Sequence, residues 1–90
     1  MEFEWDEAKA VGNLRKHRVS FEEATTVFDD PAVRVRYDED HSGVEDRWNA
    51  IGRSGKLRVL AVTYTRRGPA VRIISARQAT RAEALEYAQA

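Results

Sequence analysis

An α+β domain built on an antiparallel sheet is what this sequence predicts, and three patterns predict it. Ser20-x-x-Glu23 and Thr80-x-x-Glu83 have the form of capping boxes, in which each side chain satisfies the other residue's backbone N–H. Four extended runs lie between them, separated by short turn-rich connections, and short connections imply antiparallel neighbours. Ninety residues suffice for one domain and are too few for two, so residues 1–90 are read as a single unit.

Each element has its own signal. Phe3 and Trp5 alternate with Glu2 and Glu4, which allows a short first strand. Asp6 caps a helix through His17, with Ala8, Val11 and Leu14 at helical spacing and Gly12 weakening it slightly. Ser20 opens a second helix with the apolar stripe Phe21, Ala24, Val27 and Phe28, and Asp29-Asp30-Pro31 stops it. Val33 to Tyr37 alternates with period two. An acidic loop, Asp38 to Gly43, leads to a second run from Glu45 to Arg53 and a hairpin-type turn at Ser54-Gly55. Leu57 to Thr65 and Val71 to Arg77 are the remaining strands, joined by Arg66 to Pro69. Thr80 opens the last helix, where Ala82, Leu85 and Tyr87 or Ala88 supply apolar surface.

A two-residue turn at Ser54-Gly55 sets Arg53 opposite Lys56. One face then shows Trp48, Ala50 and Gly52 beside Leu57, Val59, Ala61 and Thr63; it is apolar and should carry the helices. The other shows Glu45, Arg47, Asn49, Ile51 and Arg53 beside Arg58, Leu60, Val62 and Tyr64. Closing the next hairpin with Thr65 opposite Ala70 adds Ile73, Ser75 and Arg77 to this mixed face. A one-residue slip exchanges the alternating sets, so the choice between Arg72 and Arg77 stays open. With Val33, Val35 and Tyr37 inward, Arg34 and Arg36 join the same surface. An apolar floor ringed by cations has the character of a binding concavity.

Composition narrows the function. Fifteen basic residues balance fifteen acidic ones, so the chain is no general nucleic-acid coat. The balance is uneven, with acids concentrated in residues 1–30 and bases in residues 31–90. Twelve of the bases are arginine, whose planar fork suits phosphate and carboxylate. There is no cysteine, hence no disulfide or thiolate metal site. The N-terminus is acidic where a signal peptide is basic, and no run reaches membrane-spanning length. The expectation is a soluble cytoplasmic protein with no cofactor.

The ordered set of residues resembles the BrnT family, bacterial toxins of type II toxin–antitoxin systems. It comprises Phe3-Glu4-Trp5-Asp6, Lys9, Asn13, Lys16-His17, Val19 to Ala24 and Val27 to Pro31. It continues through Glu45-Asp46-Arg47, Ile51-Gly52-Arg53, Arg72 to Arg77, Thr80-Arg81, Glu83 and Tyr87. The resemblance implies a RelE-like fold and a ribonuclease that acts on RNA. It also implies a partner antitoxin, BrnA-like, with a ribbon-helix-helix DNA-binding half, so that DNA is met only through the antitoxin. The family usually has glycine after Lys-His, where this chain has Arg18; if that position needs a left-handed cap, arginine costs roughly 1 kcal/mol.

RNA cleavage through the ribose 2′-hydroxyl needs a base, cations for the crowded phosphate and an acid for the leaving oxygen. No cluster has metal-ligand spacing, so a metal-free route is expected. His17 is the leading titratable candidate, with Lys16 beside it. Arg47 and Arg77 are the expected phosphate clamps, and Glu45 either acts as a base or holds Arg47. Arg34, Arg36, Arg58, Tyr64 and Arg72 are the expected RNA contacts, whereas His41 reads as a surface residue and Trp5 and Trp48 as core. The competing readings are a non-catalytic binding module and a degenerate toxin acting only within a repressor complex.

Overall fold

Side-chain caps fix where the helices begin. Asp6 accepts the Ala8 N–H and starts α1 (Glu7–His17). Ser20 accepts the Glu23 N–H and starts α2 (Phe21–Thr26), which tightens into a 3₁₀ turn over Val27–Asp29. Thr80 and Glu83 form the reciprocal box that starts α3 (Arg81–Ala88). The box expected at Ser20 is only half made, because the Glu23 carboxylate turns to Ser54 and Arg58 instead. A computed structural model of the chain describes residues 1–89.

The strands are β1 (Glu2–Glu4), β2 (Arg34–Tyr37), β3 (Trp48–Arg53), β4 (Val59–Arg67) and β5 (Ala70–Gln78). They form one sheet in the order β1-β5-β4-β3-β2. The three hairpin neighbours pair antiparallel as expected, but β1 lies parallel to β5, so the five-stranded sheet is mixed. The α1–α2 excursion carries the chain from β1 at one edge to β2 at the other, and such a crossover frees β1 from hairpin geometry.

One turn and one bulge correct the expected faces, and at the β4–β5 turn Ala70 pairs with Arg67 rather than Thr65. Arg53 pairs with Val59, not Lys56, because the β3–β4 connection folds back on itself through Leu57 N–H to Ser54 O and Ser54 N–H to Arg58 O. Leu57 takes the left-handed conformation (φ 63°) that this wider turn requires. The three-residue shift is odd, so it turns Leu60, Val62 and Tyr64 into the helix-covered core and Ala61 and Thr63 outward. In β5 a bulge sets in opposite Thr63/Tyr64. Tyr64 pairs with Ile73 on one side of it and Thr63 with Ser75 on the other. The extra residue lets Arg72 and Arg77 share the open face, an outcome that regular alternation forbids.

α1 and α2 cover one face, where Val19, Phe21, Ala24 and Val27 pack on Ala50, Leu60, Val62, Val71, Ile73 and Ala76. Phe3, Phe28, Tyr64 and Trp48 continue this core as a chain of rings 5.2–5.9 Å apart. Both tryptophans pack against the core, as expected. α1 is rotated from its expected orientation: Val11 and Leu14 stay about half exposed, and Asn13 points in. Asn13 donates to Val19 O and Ala76 O and accepts the Ala76 N–H, so it joins α1, the following turn and β5. Arg18 ends α1 in the left-handed region (φ 60°), the position where glycine is ordinarily cheaper. Val35 and Tyr37 point toward the core side but overhang its edge, each about half exposed. Among the described residues no helix is long and apolar enough to cross a membrane.

Gly52 sits where β3 presses on the 3₁₀ turn. A Cβ there would lie 2.8 Å from Val27 Cγ1 and 3.2 Å from Val33 Cγ2. Val27 is fully buried and has no room to withdraw. Gly52→Ala is therefore expected to destabilise the fold by about 1–3 kcal/mol in urea unfolding, the usual cost of overpacking. A loss within error would show that this contact relaxes freely.

Candidate functional site

The sheet face turned away from α1 and α2 is only partly covered. α3 leans over its β2 side, above Ile51, and is tied down mainly by polar contacts. Arg34 Nη1 donates to Glu86 O (3.0 Å), Arg36 meets Glu86 and Glu83 (3.3 and 3.5 Å), and the Tyr87 hydroxyl donates to Asp30. The half-buried α3 residues are Glu83, Ala84 and Tyr87, while Leu85 of the expected apolar set points to solvent.

Beside α3 the face opens into a cavity of about 600 Å³. Asn49, Thr63 and Ser75, in register across β3, β4 and β5, form its polar floor, and the Thr63 hydroxyl donates to Asn49 Oδ1 (2.8 Å). Arg36, Arg47 and Arg77 line the walls with Asp38, Glu39, Asp40, His41 and Glu83. Three guanidinium groups thus face four carboxylates, and the cavity is a compensated site rather than a positive funnel.

The arginines differ in how free they are. Arg77 holds Glu83 through two bonds, of 2.7 and 3.1 Å. The Arg77 guanidinium, opposed by burial and helped by the Thr80 N–H, keeps the Glu83 carboxyl at about 2. The same pairing raises Arg77 further above its ordinary value. Arg36 is shared between Glu83 and Glu86. Arg47 is the least compensated of the three. Its nearest carboxylate, Glu45 Oε1, lies 3.8 Å from Nη2, and its Nε is buried with no hydrogen-bond partner among the described residues.

Arg47 stands on a pinned loop, not in a strand as expected, since β3 begins at Trp48. Asp38 N–H donates to Arg47 O (2.9 Å), and the Ser42 hydroxyl donates to Asp38 O while accepting the Arg47 N–H (2.9 Å). Asp46 anchors the same loop by accepting from Tyr37 at its carboxylate and from Thr65 at its carbonyl. Within the loop, His41 Nδ1 lies 3.1 and 3.0 Å from the two Asp38 oxygens. Partial burial opposes ionisation of Asp38, but bonds from His41 and Asn49 outweigh it and hold its carboxyl below the ordinary value.

The structure divides the residues expected at the site. It brings Arg36, Arg47 and Arg77 together at one cavity, with Glu45 next to Arg47. Arg34 is on the same face but lies under α3, and Arg72 pairs with Glu4 of β1 (2.7 Å) outside the cavity lining. Lys16 and His17 end α1 on the opposite side of the sheet. Tyr64, expected on the open face, is 6% exposed in the core, and burial raises its hydroxyl. Arg58, also expected there, is drawn by the wider turn to the buried Glu23 and to Arg18 O. Asp38, His41 and Thr63 are the site groups that sequence reading passed over, while Asn49 and Ser75 were expected on the mixed face without a role. Of these three, Asp38 and His41 carried a local signal, the Asp38-x-x-His41 spacing that brings the two side chains together within one turn.

The family model described as "Ribonuclease toxin, BrnT, of type II toxin-antitoxin system" matches residues 5–83. Among solved structures, the crystal structure of the Brucella abortus ribonuclease toxin BrnT is similar, with a TM-score of 0.71 and 27% sequence identity. The alignment covers 90% of this chain and 99% of that one. Comparison with curated proteins gives no match.

Proposed function

Since the chain belongs to the BrnT family of ribonuclease toxins of type II toxin–antitoxin systems, we propose that it cleaves RNA in the cavity on the open sheet face. The observation that carries this reading is Arg47, whose buried Nε lacks a partner at a site walled by two further arginines. A guanidinium so placed gains most from a ligand that brings acceptor oxygens, and a phosphodiester does. The polar floor of Asn49, Thr63 and Ser75 offers hydrogen bonds to ribose or base. The reading takes a metal-free route, with the cavity arginines supplying the positive charge at the phosphate. The fold is of the RelE-like kind.

Neutralisation falls to a BrnA-like antitoxin with a ribbon-helix-helix DNA-binding half. A segment of it rich in acids and apolar residues covers the cavity or its rim, in competition with RNA. High salt weakens the electrostatic part of that interface.

Inducible expression without the antitoxin tests this reading. Growth arrest is expected, with cleavage of single-stranded RNA by the purified protein that persists undiminished in excess EDTA, and co-expressed antitoxin relieves both. Intact RNA in the presence of correctly folded protein would leave the non-catalytic binding module as the better reading. Loss of cleavage in EDTA, restored by a divalent metal, would overturn the metal-free route alone.

A further inference from the structure

The three arginines of the cavity stabilise charge, but a guanidinium does not give up its proton in a protein, so none of them serves as a base. A carboxylate is ordinarily a weak base near neutral pH, and of those lining the cavity Glu83 is further saturated by Arg77 and the Thr80 N–H. His17 lies behind the sheet. His41 is of the residue type whose charge changes near neutral pH; it lines the cavity with Arg47 and Arg77, and also borders a second depression with Glu45.

Building on the ribonuclease reading, we infer that His41 is the general base that activates the ribose 2′-hydroxyl, and that Asp38 is its positioning residue. Asp38 accepts from both the ring and the backbone N–H of His41, at 3.0–3.3 Å. With the proton on Nδ1 facing Asp38, Nε2 is an acceptor, and it has no partner among the described residues. The carboxylate also stabilises the imidazolium that forms on proton uptake, the role an aspartate plays behind a catalytic histidine elsewhere. Asp38 is itself kept ionised by its bonds to His41 and Asn49 and fixed by the Ser42–Arg47 loop contacts.

The step balances without a cofactor. Nε2 takes the 2′-hydroxyl proton as the 2′ oxygen bonds to phosphorus. The bond from phosphorus to the 5′ oxygen breaks, giving a 2′,3′-cyclic phosphate, and the departing 5′ oxygen takes a proton from water. The hydroxide so formed removes the proton from the imidazolium. Arg47 and Arg77 face the charge that builds on the phosphate oxygens.

The test is a pH–rate profile on a single-stranded RNA oligonucleotide, with binding measured on its 2′-deoxy analogue. The wild-type profile should rise across pH 5–8, the range in which histidine changes charge. The groups facing His41 are Asp38, Glu39 and Asp40 of its own loop, Glu45 and Arg47 beyond it, Arg36 on β2, Arg77 on β5 and Glu83 on α3. Arginine stays charged throughout, so a limb that vanishes with the imidazole in both His41 variants is the limb His41 supplies. His41→Ala and His41→Gln should lower kcat by about 10²–10⁴-fold and abolish the limb, with binding of the analogue kept. Asp38→Asn should lower kcat less and displace the limb. The His41 side chain is 69% exposed, so its truncation removes little packing, and His41→Gln checks this. Wild-type turnover in His41→Ala beside an inactive Arg47→Ala would overturn the inference and leave the site reading standing. An active Arg47→Ala would overturn the site reading itself. Loss of analogue binding as large as the loss of turnover would reassign His41 to binding.

Discussion

Arg47→Ala is expected to lower RNA cleavage by about 10²–10³-fold, the usual cost of removing one preorganised donor from a developing oxyanion. The magnitude follows from how the other cations are placed. Arg77 already holds Glu83 in a two-bond pair, and Arg36 is divided between Glu83 and Glu86. Neither substitutes for Arg47 without releasing a carboxylate. Arg47 has its backbone fixed at both N–H and C=O, yet its Nε has no partner and its nearest carboxylate is 3.8 Å away. Its backbone is therefore fixed by the loop and its guanidinium is chemically unspent. Because truncation breaks no buried pair, thermal stability should change by about 0.5 kcal/mol or less. Arg47→Lys keeps the charge but loses the fork, so it should recover only part of the activity. Arg77→Ala should differ in kind, since it frees Glu83 and loosens α3 as well as removing a cation. Cleavage by Arg47→Ala at the wild-type rate, with the fold intact, would remove the cavity from consideration.

What the sequence revealed was what local chemistry decides. Asp6, Ser20 and Thr80 each cap a helix because capping needs only residues two or three positions apart. The Arg34 and Arg36 side of β2 was legible from period-two alternation, and Arg77 from its phase with Ser75. What failed depended on turns. Ser54-Gly55 has the composition of a two-residue hairpin, but the chain makes a wider turn with Leu57 in the left-handed region. That cost was invisible in sequence, and it reversed the faces of Leu60, Val62 and Tyr64. The bulge opposite Thr63/Tyr64 has no glycine to announce it, so Arg72 and Arg77 read as alternatives when both are on the open face. The two histidines differ in what the sequence offers about their place: His17 ends α1 behind the sheet, and His41, expected at the surface and 69% exposed, borders the cavity. His17 had the family motif around it, while His41 sat in a loop whose fold depends on Ser42 and Arg47 meeting through the backbone. Parallel pairing of β1 with β5 joins the two ends of the chain, and no local pattern encodes a contact so distant.

Arg58→Ala is expected to unfold most easily of the variants considered, losing about 2–4 kcal/mol, because it strands a buried charge. The Glu23 side chain is 3% exposed, and Arg58 supplies bonds to both of its oxygens. Ser54 Oγ, at 2.7 Å, is the remaining side-chain partner. The same guanidinium donates to Arg18 O, so it also steadies the left-handed end of α1. One arginine thus joins the α1–α2 turn, α2 and the β3–β4 turn. Its own side chain is 29% exposed, so water reaching Glu23 from that edge keeps the loss toward the lower part of the range for a severed buried pair. At about 4–8 °C per kcal/mol for a domain of this size, the thermal midpoint should fall by roughly 10–25 °C. Glu23→Gln should cost less, because it removes the buried charge and keeps a neutral acceptor for Arg58. The pH dependence has a definite sign. Arg58 chiefly, with Ser54 against the opposing effect of burial, lowers the folded Glu23 carboxyl below its ordinary 4.5. The stabilisation is therefore complete above about pH 4.5 and is lost as pH falls through the lower folded value. The acid-induced drop between the two should shrink in Glu23→Gln, which has no proton to take up there. Arg58→Ala melting within about 3 °C of wild type, less than 1 kcal/mol of destabilisation, would show that Glu23 finds other partners. It would return Arg58 to the candidate RNA contacts that the wider turn has removed it from.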